Sequence, residues 1–252
     1  MDFLKITDRY DLARFFRLEL DKLTYFLYKI PPERQYKEFH LKKRKGGIRK
    51  IFAPIFPIKE LQRTLKDELY KVYTPKTNVH GYVYERGIKT NAKKHEGRFW
   101  VAKIDVENFF PSIHFGRVRG FFLKPPFKFC DEVAKILAKL CVRDDKLPQG
   151  APTSPIISNI ICRKLDRELI ELAARFRCVY TRYADDITFS TTRKTFPSSI
   201  CYFDANQNTL RATAGNAARE IIECNSFNIN ESKTSLRHKG SRQMVTGLIV
   251  NN

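Results

Sequence analysis

The sequence predicts an α+β fold, on three observations. Apolar residues recur at helical spacing through several segments, beginning with RYDLARFFRLELDKLTYFLY at 9–28. Strand-forming residues (Val179, Tyr180, Tyr183, Ile187, Thr188 and Phe189) surround an acidic pair in a pattern of period two. A Gly46-Gly47 pair separates two basic, strand-like stretches, as a hairpin turn would.

Each element follows in order. Leu12, Phe15, Phe16, Leu20, Leu23 and Leu27 define the buried face of an amphipathic helix over 9–28. FHLKKRKGGIRKIFAP at 39–54 reads as strand, turn, strand, and 58–73 as a second helix. A short buried strand within 99–110 ends at Asp105, and 131–142 is helical. LPQGAPTSP at 147–155 is a turn-rich loop, with Ser154 the expected N-cap of the next helix and Pro155 at its first position. Strand, turn and strand then surround Asp185 and Asp186. A polar excursion at 191–208, a helix near 209–225 and strand pieces ending in QMVTGLIVNN complete the chain.

With 252 residues, 42% hydrophobic and 13% aromatic, the chain is long and apolar enough for one large domain or two lobes. No apolar run approaches the ~18 residues of a bilayer span, so a soluble protein with no membrane partner is expected. The start, MDFLKITDRYDLARFF, lacks the unbroken apolar segment of a secretory signal. Six cysteines lie far apart without a CxxC pair, which argues against a zinc site or disulfide framework and for a reducing, cytoplasmic setting. The net charge is +20, and residues 1–100 hold 24 Lys and Arg against 12 Asp and Glu. Such a basic lobe points to a polyanion, with nucleic acid ahead of acidic proteins or membrane surfaces.

Asp185 and Asp186 raise the sharpest question. Two carboxylates 4 Å apart repel by about 4 kcal/mol at an effective dielectric near 20. Asp144-Asp145 sits between Arg143 and Lys146 in polar surroundings, where solvation suffices. Asp185-Asp186 instead interrupts a half-buried strand pattern, and Arg182 is the one arginine nearby. A pair of Mg2+ ions, which favour hard oxygen ligands, would make the pair tolerable and suit in-line phosphoryl transfer. Asp105, delivered by its own strand, is a third candidate ligand, although an Asp capping the next helix has the same local pattern.

Resemblance extends this reading. VAKIDVENFFPSIH, LPQGAPTSPIISNIICRKLDREL, YADDITFS, FNINESKTSLR and QMVTGLIVN resemble the successive palm motifs of reverse transcriptases. HLKKRKGGIRKIFAP resembles the fingers motif that precedes them. The bacterial retron reverse transcriptases are resembled in particular. NVHGYVYERGIKTNAKKH contains their Asn-Ala-x-x-His signature (Asn91, Ala92, His95), and Val245-Thr246-Gly247 matches their VTG triplet.

The resemblance implies a right-hand polymerase fold, with fingers at 1–98 and palm at 99–252. The helical thumb that follows the VTG strand in that family is expected to be absent, truncated or supplied by another chain, since the sequence ends five residues past Gly247. Asp105 and Asp185 would ligate both Mg2+ ions, with Asp186 and the carbonyl of Val106 assisting. Phe110 would exclude a ribose 2′-hydroxyl, or else is a core residue beside Phe109. Lys43 and Arg49 would reach the triphosphate, and Gln149 would lie against nucleotide and template. Lys233 matches the candidate acid that protonates pyrophosphate. Asn91, His95, Val245, Thr246 and Gly247 would help hold the cognate RNA, although His95, in a Lys-rich stretch, also reads as an exposed loop residue.

The implied function is RNA-directed DNA synthesis on a structured noncoding RNA that is both template and primer, giving RNA-linked DNA. The resemblance further implies a role in antiphage defence with a separate effector protein. A group II intron-like or unprimed bacterial reverse transcriptase, and a catalytically silent RNA-binding scaffold, are the alternatives.

Overall fold

The structure, a computed structural model, describes residues 2–42, 46–204 and 211–251. Two compact units are formed, one from Met1–Thr74 with Phe110–Ile161 and the other from Pro75–Phe109 with Cys162–Asn252. The units interleave along the sequence, whereas the expected fingers–palm boundary is a single cut at 98/99.

In the first unit the expected helix over 9–28 is broken. Helix α1 (Arg9–Phe15) is capped by Asp8, whose carboxylate accepts from the Tyr10 and Asp11 N–H groups. Arg17 then turns to φ +56, and the Leu18 N–H returns to the Ala13 carbonyl at 3.0 Å. This is the left-handed reversal that ends many helices. Helix α2 (Leu20–Thr24) resumes and runs into a π turn at Tyr25–Lys29. Leu12, Phe16, Leu23 and Leu27 are nevertheless all buried. Phe15 and Leu20 of the expected stripe are only half-buried, and the stripe runs over two helices instead of one, because a short reversal hardly disturbs the spacing of apolar residues.

Helix α3 (Pro32–Gln35) leads into β1 (Tyr36–Lys42) and β2 (Ile48–Pro54). They pair antiparallel with Leu41 opposite Arg49. Helix α4 (Phe56–Val72) buries Ile58, Leu61, Leu65 and Leu69 at helical spacing. Helix α5 (Ile88–Lys93) and strand β3 (Trp100–Glu107) belong to the second unit. The chain then returns to the first with α6 (Phe115–Leu123), α7 (Asp131–Cys141) and α8 (Ser154–Ile161). Fully buried Gln62 of α4 donates to the Tyr36 hydroxyl at 3.0 Å and the Leu140 carbonyl at 2.7 Å, tying three elements together. Ser154 is not an N-cap. It lies in the first turn of α8, and its hydroxyl donates to the Pro148 carbonyl at 2.6 Å, folding the preceding loop back on itself.

The second unit is built on a sheet. After α9 (Arg163–Arg175), β4 (Val179–Tyr183) and β5 (Asp186–Thr191) form a hairpin. Strand β5 pairs antiparallel with β3. Beyond a separate hairpin of β6 (Cys201–Asp204) and β7 (Arg211–Ala214) comes α10 (Asn216–Cys224). The far edge of β3 is covered at its end by β8 (Asn228–Ile229) and at its start by β9 (Ser235–His238). Strands β10 (Met244–Val245) and β11 (Leu248–Ile249) close the unit as a short hairpin. Strand alternation puts Ile104, Tyr180, Arg182, Ile187 and Phe189 on one face, and Lys103, Asp105, Asp186, Thr188 and Ser190 on the other. Among the described residues no helix is long and apolar enough to cross a membrane.

Candidate active site

The sheet register brings the three acids together. Asp105 on β3 lies directly opposite Asp186 on β5. Asp185 occupies the two-residue turn between β4 and β5, and the Val106 N–H donates to its carbonyl at 3.1 Å. The Asn230 N–H bonds the Asp105 carbonyl at 2.8 Å, which fixes the strand end from the other side. Eighty residues of sequence separation are therefore closed by backbone pairing, not by side-chain chance.

The cations beside these acids differ from expectation. Arg182 points away from them: it is 0% exposed and grips Asp166, Nε to Oδ1 at 2.7 Å and Nη2 to Oδ2 at 2.8 Å. Lys233 instead donates to Asp105 Oδ2 at 3.0 Å, and Lys103 Nζ lies 3.2 Å from Asp186 Oδ1. Lys103 was missed by sequence reasoning. Its signal was present, because a residue two positions before Asp105 on the same strand shares its face.

Burial pushes the Asp185 carboxyl up to about 6, helped by the neighbouring Asp186 charge. Asp105 is also raised by burial, against the pull of Lys233. Among the described residues no three His, Cys, Asp or Glu side chains converge closely enough to hold an ion as they stand. The donor chemistry nonetheless suits a hard cation: three carboxylates on one strand pair and its turn, with no sulfur or imidazole among them. Ligation requires Asp105 and Asp186 to exchange their lysine contacts for the ion.

This yields a pH prediction. A carboxyl raised from 3.8 to about 6 favours the folded chain below its unfolded value, and that contribution is lost as pH rises through about 6. A divalent ion binds the charged form. Mg2+ is therefore expected to raise the melting midpoint at about pH 7.5 and to have little effect at about pH 5. A Mg2+-induced shift that is equal at both pH values counts against Asp185 as a ligand.

The nucleotide-contact candidates lie in the first unit. The Phe52 N–H of β2 donates to the Gln149 carbonyl at 2.7 Å, so the LPQG loop docks on the strand that carries exposed Arg49. Gly150 has φ +111, and a Cβ there would meet Ile51 Cγ2 at 2.6 Å and the Phe52 carbonyl oxygen at 3.1 Å. Gly150→Ala is accordingly expected to cost about 2 kcal/mol in urea unfolding, from backbone strain before any clash is counted. Phe110 is half-buried, while Phe109 is the core residue and stacks on Phe227 at 5.6 Å. Lys43 lies outside the described residues.

The candidate RNA contacts are mostly interior. His95 is no exposed loop residue: it is 0% exposed, bonded through Nδ1 to Ser190 Oγ and through Nε2 to Thr181 Oγ1, each at 2.7 Å. It thereby joins both strands of the acidic hairpin, and burial holds its pKa down to about 3. Asn91 and Val245 are equally buried, and the Asn91 amide has no hydrogen-bond partner among the described residues. Ala92, Val101, Val245 and Val250 form one apolar cluster, which packs α5 against the last hairpin. A side-chain contact of Asn91, His95 or Val245 with RNA is thus corrected for this conformation, because none offers surface. Thr246 and Gly247, at φ +47 and +85, form the turn of that hairpin, and the Thr246 hydroxyl bonds the Ile88 carbonyl at 3.3 Å. The sequence could not show this burial, since apolar partners for a polar stretch come from elsewhere in the chain.

Paired carboxylates on a hairpin facing a third strand, with a basic hairpin in the other unit, define a fingers-and-palm polymerase fold. The same fold is found in a telomerase from Candida albicans solved with a fragment of telomeric RNA. It matches with TM-score 0.55 and 10% identity, over 86% of this chain and 45% of that one. Residues 41–249 match the family described as reverse transcriptase (RNA-dependent DNA polymerase), and the chain belongs to that family.

Among curated relatives, the retron Mx162 reverse transcriptase of Myxococcus xanthus is 34% identical over 95% of this chain and 52% of its own length. The retron Mx65 enzyme of the same organism is 35% identical over 96% of this chain and 57% of its own. The retron Ec86 enzyme of Escherichia coli is 29% identical over 96% of this chain and 70% of its own. The chain spans about half the length of the first two of these relatives.

Proposed function

We propose that this chain performs RNA-directed DNA synthesis of the retron type, copying a structured noncoding RNA into DNA linked to that RNA. The observation that carries the reading is the register of Asp105 opposite Asp186, with Asp185 in the adjoining turn. Similarity to several retron enzymes supports it, as does the net charge of +20.

In this reading Asp105, Asp185, Asp186 and the Val106 carbonyl hold the Mg2+ ions. When bound, magnesium lowers the cost of charge on the attacking and leaving oxygens. Arg49 and Lys43 bind the triphosphate as fixed cations. Gln149 orients the nucleotide against the template, and Phe110 excludes the 2′-hydroxyl. Lys233, whose side chain is 60% exposed beside Asp105, is free to swing outward and donate a proton to departing pyrophosphate. Exposed Gly247 and half-buried Thr246 offer the RNA-holding surface. Antiphage defence alongside an effector protein, in the cytoplasm, belongs to the same reading and rests on the retron likeness alone.

The test is extension of a labelled primer on an RNA template by the purified chain. Mg2+-dependent incorporation of deoxynucleotides, with ribonucleotides excluded, is the expected result. Silence on both a simple template and a structured RNA from the DNA flanking its gene overturns the reading in favour of an RNA-binding scaffold. Salt-sensitive RNA binding is expected of enzyme and scaffold alike, so synthesis is the deciding readout.

A further inference from the structure

We propose that Arg182 is a positioning residue for the acidic turn: anchored by Asp166, its guanidinium holds the Ala184 carbonyl and so sets the direction in which Asp185 leaves the sheet. The proposal rests on the polymerase reading above.

Arg182 and Asp166 are buried, at 0% and 1% exposure. Asp166, on α9, takes both arms of the fork, and its Oδ1 also accepts from the Tyr180 hydroxyl at 2.7 Å. The remaining arm, Nη1, donates to the Ala184 carbonyl at 3.1 Å. Ala184 immediately precedes Asp185 and sits at φ +56, a conformation that costs any residue with a Cβ and persists only where neighbours enforce it.

The main chain of Arg182 is held as firmly as its side chain. Its N–H donates to the Asn78 carbonyl and its carbonyl accepts from the His80 N–H, both at 2.9 Å. The next residue along that segment, Gly81, packs closely on the turn: a Cβ on it would lie 2.5 Å from the Ala184 nitrogen. A guanidinium anchored on a helix and a neighbouring segment thus both meet a single two-residue turn.

A buried ion pair is a weak device for stability alone, since removing both charges from water offsets most of their attraction. Apolar side chains of equal volume would fill the same space. What they would lack is a donor aimed at a chosen carbonyl, and a planar guanidinium supplies three such directions at once.

Single-nucleotide incorporation by the full chain tests this with Arg182→Lys, which keeps the charge and loses the fork. The kcat should fall between about tenfold and about 100-fold, with KM for the deoxynucleotide unchanged. Mn2+ bound without nucleic acid, read by electron paramagnetic resonance, should weaken severalfold in the same variant. A role in core packing alone would lower the melting midpoint and the active fraction together, and leave the Mn2+ affinity of folded molecules as in the wild type.

Should Arg182→Lys fail to fold, Asp166→Asn decides, because it leaves the acidic turn untouched and loosens the anchor of the guanidinium that holds it. Lower kcat and weaker Mn2+ binding per folded molecule support the proposal. Wild-type kcat and Mn2+ affinity in whichever variant folds overturn it. An inactive wild type counts against the polymerase reading instead, and the Mn2+ measurement still judges the positioning role.

Discussion

Asp185→Asn is expected to lower RNA-templated DNA synthesis by at least about 1,000-fold, equivalent to about 4 kcal/mol of lost transition-state stabilisation. The exchange is nearly isosteric, and asparagine is as well suited to a turn as aspartate, so the hairpin should survive. The metal-free chain should in fact become more stable near neutral pH. Burial and the Asp186 charge disfavour the ionised Asp185 carboxylate, and a neutral amide relieves both. Three results are expected together: no primer extension, a higher melting midpoint without metal, and no Mg2+-induced rise. Retained synthesis would remove Asp185 from the catalytic set. Loss of synthesis with a falling midpoint would show mere unfolding.

Gly81→Ala is the second large effect. The added methyl would lie 2.5 Å from the Ala184 nitrogen and 3.1 Å from the Tyr183 carbonyl carbon, both main-chain atoms that cannot swing aside. The turn must shift, and displacing a reacting group by a fraction of an ångström to an ångström can cost about 100-fold in rate. Stability should fall by about 1–3 kcal/mol, the usual range for overpacking. Gly120→Ala serves as the control, since a Cβ there meets nothing within 4 Å and α6 should gain slightly from alanine. Equal activity in both variants would mean that the turn yields freely.

Much of the candidate site was legible because its signals are local. The Asp185-Asp186 pair, the Gly46-Gly47 hairpin and the strand ending near Asp105 each follow from residues within a few positions of one another. The outcomes differ where the deciding partner is distant. Arg182 is the one arginine near the acidic pair in sequence, three residues from Asp185. Strand alternation turns it to the opposite face, where Asp166 of α9 waits. His95 looked exposed among lysines, yet Thr181 and Ser190, more than eighty residues on, give both ring nitrogens a partner. The helix over 9–28 was overextended because Arg17 at φ +56 reverses the chain without disturbing the apolar stripe.

The sequence by itself determined the α+β class, the order of the motifs, the acidic turn and the basic hairpin, since periodicity and turn chemistry act over a few residues. Only the tertiary structure decided that Asp105 faces Asp186, that Lys103 and Lys233 attend those acids, and that the chain interleaves two units. Register and burial are set by packing between segments far apart in the chain, and no local pattern encodes which distant side chain will complete a buried polar group.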